Sequence, residues 1–170
     1  MFKKIGIVAD HRGEKYKQVV ADQLSKLGLE SVYPSYSDAE DNDYPDVVAE
    51  AYKMYMDGAA DGLIMLCGTG VGMCIAANKC QELRCVLANN AATAAFGRIH
   101  EDCNVLAMGV GYALPGSDLK VKLSTKDMQK IVKAFVTTPF EGGRHLRRVE
   151  KLKQMSKIKH SCKAKSATRE

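Results

Sequence analysis

A glycine-rich segment that joins two apolar stretches, Cys67-Gly-Thr-Gly-Val-Gly72, is the part of the chain that most directly suggests chemistry. The apolar run before it predicts a strand buried on both faces, and the small residues after it predict a helix. Glycines leave backbone N–H groups open at such a turn, and a helix N-terminus attracts negative charge. The same field favours the thiolate form of a cysteine. We therefore expect an anion-binding site formed by backbone N–H groups beside Cys67. Cys67 itself would act as a nucleophile or a base.

The segment does not match the two best-known nucleotide-binding loops. The dinucleotide fingerprint needs a third glycine where Met73 stands, and the Walker phosphate loop needs a Gly-Lys-Ser/Thr run that is absent. We therefore predict no cofactor. For the segment taken alone, a tight turn with an ordinary buried cysteine is the alternative interpretation, because unpaired cysteines are often buried.

The formal net charge of +5 arises at the end of the chain. Residues 151–170 hold seven Lys and Arg side chains against one Glu, which leaves 18 basic and 19 acidic residues in the first 150. We therefore predict one domain over residues 1–155 and a basic, disordered tail over residues 156–170. A domain that is close to neutral gives no reason to expect a specific nucleic-acid partner.

Apolar run length and the spacing of thiols and imidazoles bear on location and metal binding. The apolar runs are too short for a membrane span, and the run after Lys4 is too short for a secretory leader. We therefore predict a cytoplasmic protein with no membrane partner. The six cysteines (67, 74, 80, 85, 103 and 162) include no Cys-x-x-Cys pair, and the four histidines show no zinc-binding spacing. Reduced thiols and no metal site are expected.

Strand and helix patterns alternate along most of the chain. Such alternation with short connections predicts a parallel sheet, because parallel strands need crossover helices. We predict a doubly wound α/β fold with a five-stranded sheet, followed by a loop over 111–124, a helix over 125–137 and a C-terminal helical extension from Arg144. The predicted strands span 4–9, 30–33, 62–67, 84–88 and 105–108, and the predicted helices among them span 13–27, 44–57, 71–80 and 91–99.

Polar side chains follow three of the predicted strands. Asp10-His11 comes after the first strand, Cys67–Gly72 after the third and Asn89-Asn90 after the fourth. In an open α/β sheet, ligands bind beyond the carboxyl ends of the strands, where the strand order reverses. We therefore expect these three clusters to share one edge of the sheet.

Six segments follow one another along residues 4 to about 155. They are Asp10-His11-x-Gly13, Asp43-Tyr44-Pro45-Asp46, Cys67-Gly-Thr-Gly-Val-Gly72, Ala76-Ala77-Asn78-Lys79, the run from Arg98 to Leu106 and the run from Pro139 to Glu150. Together, in this order, they resemble the type B ribose-5-phosphate isomerases. The resemblance implies a Rossmann-like α/β/α sandwich that assembles as a homodimer or a tetramer, with active sites shared between subunits. It also implies metal-independent interconversion of D-ribose 5-phosphate and D-ribulose 5-phosphate, in the non-oxidative branch of the pentose phosphate pathway.

The resemblance also implies catalytic roles. The reaction moves a proton between C2 and C1 of the sugar, which requires a base and a stabiliser for the negative oxygen of a cis-enediolate. Cys67 would be the base and Thr69 would relay protons. His100, from the neighbouring subunit, would open the sugar ring, because an imidazole donates and accepts protons near neutral pH.

The remaining roles concern binding. Arg144 and Arg148 lie one helical turn apart and would bind the phosphate together with His11, because guanidinium groups bind phosphate oxygens in pairs. For Arg144 and Arg148 taken alone, a solvated basic helix face is the alternative. Asp10 and Tyr44 would contact sugar hydroxyls. The loop residues Gly68, Gly70, Val71 and Gly72 would face the enediolate oxygen, and Asn78 would be a polar contact at the same loop.

Two positions depart from the family pattern. Glu101 stands where an asparagine usually follows the histidine, and Gly111 stands where an arginine is common, so the pocket is less cationic. Arg12 replaces a small residue and is our candidate for the missing positive charge near the phosphate. Two alternatives to the ribose isomerase therefore remain, a phosphosugar-binding protein with reduced catalysis and an isomerase of a six-carbon sugar phosphate.

Overall fold

A computed structural model describes residues 1–34 and 43–155. Five parallel strands form the central sheet in the order β2-β1-β3-β5-β4. Helices cover both of its faces, which confirms the predicted Rossmann-like α/β sandwich. The predicted tail at 156–170 lies outside the described residues. The strands are β1 (Lys4–Ala9), β2 (Glu30–Val32), β3 (Gly62–Cys67), β4 (Cys85–Leu87) and β5 (Val105–Gly109).

The helices divide between two halves of the hydrophobic core. One half lies between the sheet and α1, α4 and α5, and the other lies between the sheet and α2 and α3. Strand β3 is buried along its whole length, as expected for a central strand of a sheet covered on both sides. The helices are α1 (Lys17–Lys26), α2 (Tyr44–Met56), α3 (Val71–Ala77), α4 (Ala91–Glu101), α5 (Thr125–Thr137) and α6 (Arg144–Met155).

Local sequence signals explain several helix boundaries. Pro45 lies in the first turn of α2, where its missing N–H costs no helical bond. Asn90 caps α4, because its side-chain oxygen accepts a hydrogen bond from the backbone N–H of Thr93 at 2.9 Å. The predicted first helix begins with a 3-10 turn at Glu14–Tyr16 and becomes α-helical only at Lys17. The predicted third helix is shorter than expected and ends at Ala77.

The predicted loop over 111–124 is wrong in one respect. It contains two short antiparallel strands, β6 (Gly111–Ala113) and β7 (Lys120–Lys122), which form a hairpin. Pro115 and Gly116 lie in its turn, where Gly116 has a φ of +75°. The two residues that indicated a loop are therefore turn residues of a hairpin, whose strands are too short to show a periodic pattern.

A buried polar network ties the end of α4 to the sheet. The Arg98 guanidinium donates to Asp102 Oδ1 at 2.9 Å and to the Cys103 carbonyl at 2.6 Å. Asn104 is 5% exposed, and its Oδ1 accepts from the Arg84 N–H at 2.7 Å. These bonds hold the C-terminal end of α4 at the amino edge of the sheet. They therefore fix the position of His100 in the last turn of α4.

Within the described residues, no helix combines the length and apolar composition that a membrane crossing requires.

Gly70 offers a direct test of how tightly the glycine loop is built. It has a φ of +79°, and an added Cβ would lie 2.5 Å from Leu87 Cδ1 and 2.8 Å from the Gly109 backbone nitrogen. We expect Gly70→Ala to lower the free energy of unfolding by about 2–5 kcal/mol, from backbone strain and overpacking together. Urea denaturation measures the change.

Gly28→Ala is the matched control. Gly28 has a similar φ of +73°, but nothing lies within 4 Å of its added Cβ. This control should lose only the strain, about 1–2 kcal/mol. Equal losses in the two variants would contradict close packing at the loop.

Candidate active site

The Cys67 loop connects β3 to α3 at the carboxyl edge of the sheet. Cys67 is 5% exposed, and its sulfur accepts a hydrogen bond from the Gly70 N–H at 3.0 Å. That bond points the positive end of a peptide dipole at the sulfur. The Thr69 hydroxyl oxygen accepts from the Val71 N–H at 3.3 Å, which orders the next turn of the loop. The predicted juxtaposition of a thiol and loop amides is therefore present.

Two neighbouring segments bring polar groups to this loop. The Tyr44 ring, at the start of α2, lies 3.1 Å from where a Cβ on Gly72 would stand. Asp10 follows β1, and its Oδ1 accepts from the N–H groups of Arg12 and Gly13 at 2.9 and 3.0 Å. The chain turn that these bonds stabilise leaves His11 exposed. We call Asp10, His11, Tyr44 and residues 67–72 the thiol half-site.

Arg12 lies beside the thiol half-site. Its Cδ is 3.0 Å from where a Cβ on Gly68 would stand, and its guanidinium carbon is 5.0 Å from the centre of the Tyr112 ring. A guanidinium at this distance is held by a cation–π attraction. Tyr112 directly follows Gly111, which is the position where the family pattern has an arginine. Sequence reasoning missed the contribution of Tyr112, because no pattern connects residues that are 100 positions apart.

A second cluster of ionisable side chains lies where α4 ends and α6 begins. The rings of His100 and His145 stack with centres 4.5 Å apart and planes at 12°. His145 is 2% exposed, and its Nε2 accepts a hydrogen bond from Arg144 Nε at 3.3 Å. Arg148 lies one helical turn after Arg144, and its Nη1 is 3.5 Å from His145 Nδ1. We call His100, Arg144, His145 and Arg148 the imidazole half-site.

The charges of the imidazole half-site favour an anion. His100, His145 and the neighbouring Glu141 could each direct one ligand atom to a metal ion, since these atoms lie within 4.8 Å of one another. However, two guanidinium groups contact the His145 ring and would repel a cation. Each guanidinium also carries N–H donors in a planar geometry that suits phosphate oxygens. The arrangement therefore fits a phosphate better than a metal.

The two half-sites lie at opposite edges of the sheet within one chain. Cys67 ends β3 at the carboxyl edge, whereas His100 lies at the end of α4, which returns the chain to the amino edge. The eleven residues of α4 span about 16 Å at 1.5 Å per residue. A single chain therefore does not bring Cys67 and His100 together.

The predicted contact of Asn78 with the loop is wrong. Asn78 follows the last residue of α3, at the other end of that helix from the loop. Its Nδ2 donates to the Cys85 carbonyl at 3.0 Å, and its Oδ1 accepts from the Cys85 N–H at 2.9 Å. The side chain therefore connects α3 to β4.

Two further predicted positions differ in their surroundings from what the sequence suggested. Asn90 follows β4 as expected, but its side chain is used as the cap of α4. Glu101 follows His100, yet it lines a cavity of about 490 Å³ with Lys79, Arg84 and Lys153. The His100 ring instead stacks on His145 and contacts the tilted ring of Phe96. Glu101 therefore lies near three basic side chains, at a part of the surface that differs from the one where His100 contacts His145.

Comparison with known proteins identifies the class. The profile of the Ribose/Galactose Isomerase family matches residues 5–152. Ribose-5-phosphate isomerase B of Escherichia coli is 36% identical over 148 residues, which cover 87% of this chain and 93% of that protein. The chain is therefore a sugar phosphate isomerase of the α/β type, and it belongs to the Ribose/Galactose Isomerase family.

Solved structures agree with this assignment. The ribose-5-phosphate isomerase B of Clostridium thermocellum superimposes with a TM-score of 0.78 at 34% identity, and covers 91% of this chain and 97% of its own. The type B ribose 5-phosphate isomerase of Trypanosoma brucei gives a TM-score of 0.77 at 33% identity, and covers 90% of this chain and 98% of its own. The match extends over the elements that carry both half-sites.

The corrected position of Asn78 leads to a prediction about stability. We expect Asn78→Ala to lower the free energy of unfolding by about 1–2 kcal/mol, because it removes two hydrogen bonds that join α3 to β4. Replacement of its exposed neighbour, Lys79→Ala, is the control and should change stability by less than about 0.5 kcal/mol. Thermal or urea denaturation of both variants provides the comparison. Equal stability of the Asn78 variant and the wild type would exclude the structural role.

Proposed function

We propose that this isomerase interconverts D-ribose 5-phosphate and D-ribulose 5-phosphate in a homodimer whose active sites each combine two chains. The observation that carries the proposal is the separation of the half-sites. The carboxyl edge of the sheet carries a thiol and loop amides, and the amino edge carries an imidazole and two guanidinium groups. Each half lacks what the other supplies, and the names of the relatives support the choice of substrate.

In the thiol half-site, Cys67 acts as the base. Its sulfur takes the proton from C2 of the open-chain sugar, and the same proton or a solvent proton is then delivered to C1. The negative charge that develops on the sugar oxygens is stabilised by the amides of the 68–72 loop. One such donor contributes about 3–4 kcal/mol to lowering the barrier. Thr69 carries a hydroxyl at the same loop and transfers protons between O1 and O2, while Asp10 and Tyr44 bind the sugar hydroxyls.

In the imidazole half-site, His100 opens the sugar ring. It takes the proton from the anomeric hydroxyl and returns a proton to the ring oxygen, so that the aldehyde forms. The stacked ring of His145 and the buried bonds of Arg98 keep His100 in place. Arg144 and Arg148 bind the phosphate oxygens, with His11 and Arg12 of the other chain closing the same pocket.

An apolar strip supports the dimer. Val71 and Ile75 on α3, Leu87 on β4 and Phe96 on α4 are each between 37% and 56% exposed. These residues lie on both sides of the edge strand β4, and they extend from the Cys67 loop to Phe96, whose ring centre is 5.3 Å from that of His100. A two-fold axis at this strip would bury the apolar side chains and would bring each thiol half-site to the partner's imidazole half-site.

Shared sites predict complementation between two inactive variants. We expect Cys67→Ala and His100→Ala homodimers to be inactive. A mixed dimer of the two variants has one intact site, which combines Cys67 of one chain with the partner's His100. Co-expression with two different tags isolates that dimer, and its kcat for ribose 5-phosphate should be about half that of the wild type. An inactive mixed dimer in a correctly assembled protein would contradict shared sites.

Replacement of the phosphate-binding cations tests the other end of the substrate. We expect Arg148→Gln to raise KM for ribose 5-phosphate about tenfold or more, because a charge-assisted hydrogen bond contributes roughly 1.5–3 kcal/mol. Arg12→Ala should raise KM by a smaller factor, and Arg12→Lys should restore part of the loss.

Arg147→Gln is the matched control for this test. Arg147 is exposed on the same helix and should leave KM unchanged. An unchanged KM in the Arg148 variant would contradict the phosphate site, and an unchanged KM in the Arg12 variant alone would remove Arg12 from it.

A further inference from the structure

Two cysteines that are eleven positions apart in the sequence meet in the fold. Cys74 lies on α3 and Cys85 begins β4, the edge strand against which α3 packs. The Cys74 sulfur also lies 3.6 Å from the Cys85 carbonyl oxygen. Sequence reasoning searched for Cys-x-x-Cys spacing and therefore missed a pair that only the packing of a helix on an edge strand creates.

The Asn78 side chain contacts both Cys74 and Cys85 and keeps them next to each other. Its Nδ2 donates to the Cys85 carbonyl at 3.0 Å and lies 3.5 Å from the Cys74 sulfur, while its Oδ1 accepts from the Cys85 N–H. Both cysteine side chains pack against the same half of the core. The pair is therefore fixed by neighbours on each side.

The two sulfurs differ in chemical character. The hydrogen bond from the Cys85 thiol is the largest of the effects that lower the pKa of Cys74 to about 7, and the amide of Asn78 adds to it. The same contact, together with burial, raises the pKa of Cys85. The two pKa shifts have opposite directions, which makes Cys74 the sulfur that ionises first. A half-buried thiolate with a neighbouring thiol is the arrangement that peroxides oxidise to a disulfide.

We propose that Cys74 and Cys85 form a reversible intrachain disulfide on exposure to a hydroperoxide. The Cys74 thiolate attacks one peroxide oxygen, the O–O bond breaks, and hydroxide leaves to give a sulfenic acid. Cys85 then loses its proton, its sulfur attacks the Cys74 sulfur, and the S–O bond breaks to release water. With hydrogen peroxide, two thiols give up two electrons in total, and the peroxide becomes two molecules of water. A dithiol reductant reverses the bond.

The disulfide would join α3 covalently to the edge strand. Formation of an S–S bond shortens the distance between the two sulfurs to about 2.05 Å and draws α3 towards β4. Because α3 begins at the glycine loop, oxidation would restrain the segment that follows Cys67. The proposal does not involve the sugar, so it stands independently of the proposed reaction.

Peptide mapping of the full-length protein tests the proposal. One equivalent of hydrogen peroxide is added, the remaining thiols are alkylated, and the protein is digested with trypsin without reduction. Cleavage after Lys53, Lys79, Arg84 and Arg98 separates Cys74 (peptide 54–79), Cys80 (80–84) and Cys85 (85–98). We expect a linked species of peptides 54–79 and 85–98 that disappears on treatment with dithiothreitol. Peptide 54–79 also contains Cys67, so the same linkage is expected in Cys67→Ser.

Three variants complete the test. Cys74→Ser and Cys85→Ser should abolish the linkage, with the alanine variants as replacements if either serine variant unfolds. Cys80→Ser is the matched control, because Cys80 is another partly buried thiol nearby, and it should leave the linkage intact. The proposal would be overturned by a linkage that survives in the Cys74 variants, by a linkage to peptide 80–84, or by oxidation of Cys74 to sulfinic acid with no linkage.

Discussion

The parallel sheet imposes one constraint on which the rest of the molecule depends. Every strand runs in the same direction, so every helix between two strands must carry the chain back to the amino edge. A residue at the carboxyl end of any strand and a residue near the end of any crossover helix therefore lie at opposite edges. Cys67, at the end of β3, and His100, near the end of α4, are such a pair. One chain therefore does not bring the two half-sites together, and the proposed active site needs a second copy.

The electrostatics follow the same division. The thiol half-site offers peptide N–H groups, and the Arg12 guanidinium beside it is held against the Tyr112 ring. The imidazole half-site offers two guanidinium groups held against a buried histidine. The domain is close to neutral in total, so its capacity to bind an anion comes from the arrangement of charges rather than from their sum.

The fold could be predicted because its signals are local. Buried strands such as β3 are continuous apolar runs, and Pro45 and Asn90 mark helix starts. The hairpin at 111–122 was not predicted, because strands of three residues are too short to show an alternation of apolar and polar residues. Asn78 was misplaced because its distance from the loop depends on the length of α3. His145, Tyr112 and the contact of Cys74 with Cys85 were missed because each depends on packing between elements that are far apart in the sequence.

The bonds of Asn78 also determine how the sheet ends. Strand β4 is at the edge, and the N–H and carbonyl of Cys85 face away from β5, where a further strand could pair. Asn78 occupies both groups with its own amide. The Asn78 side chain thus takes, at Cys85, the place that a sixth strand would have. This position of the edge strand is closed to pairing with a strand of another copy, which leaves association here to side-chain contacts.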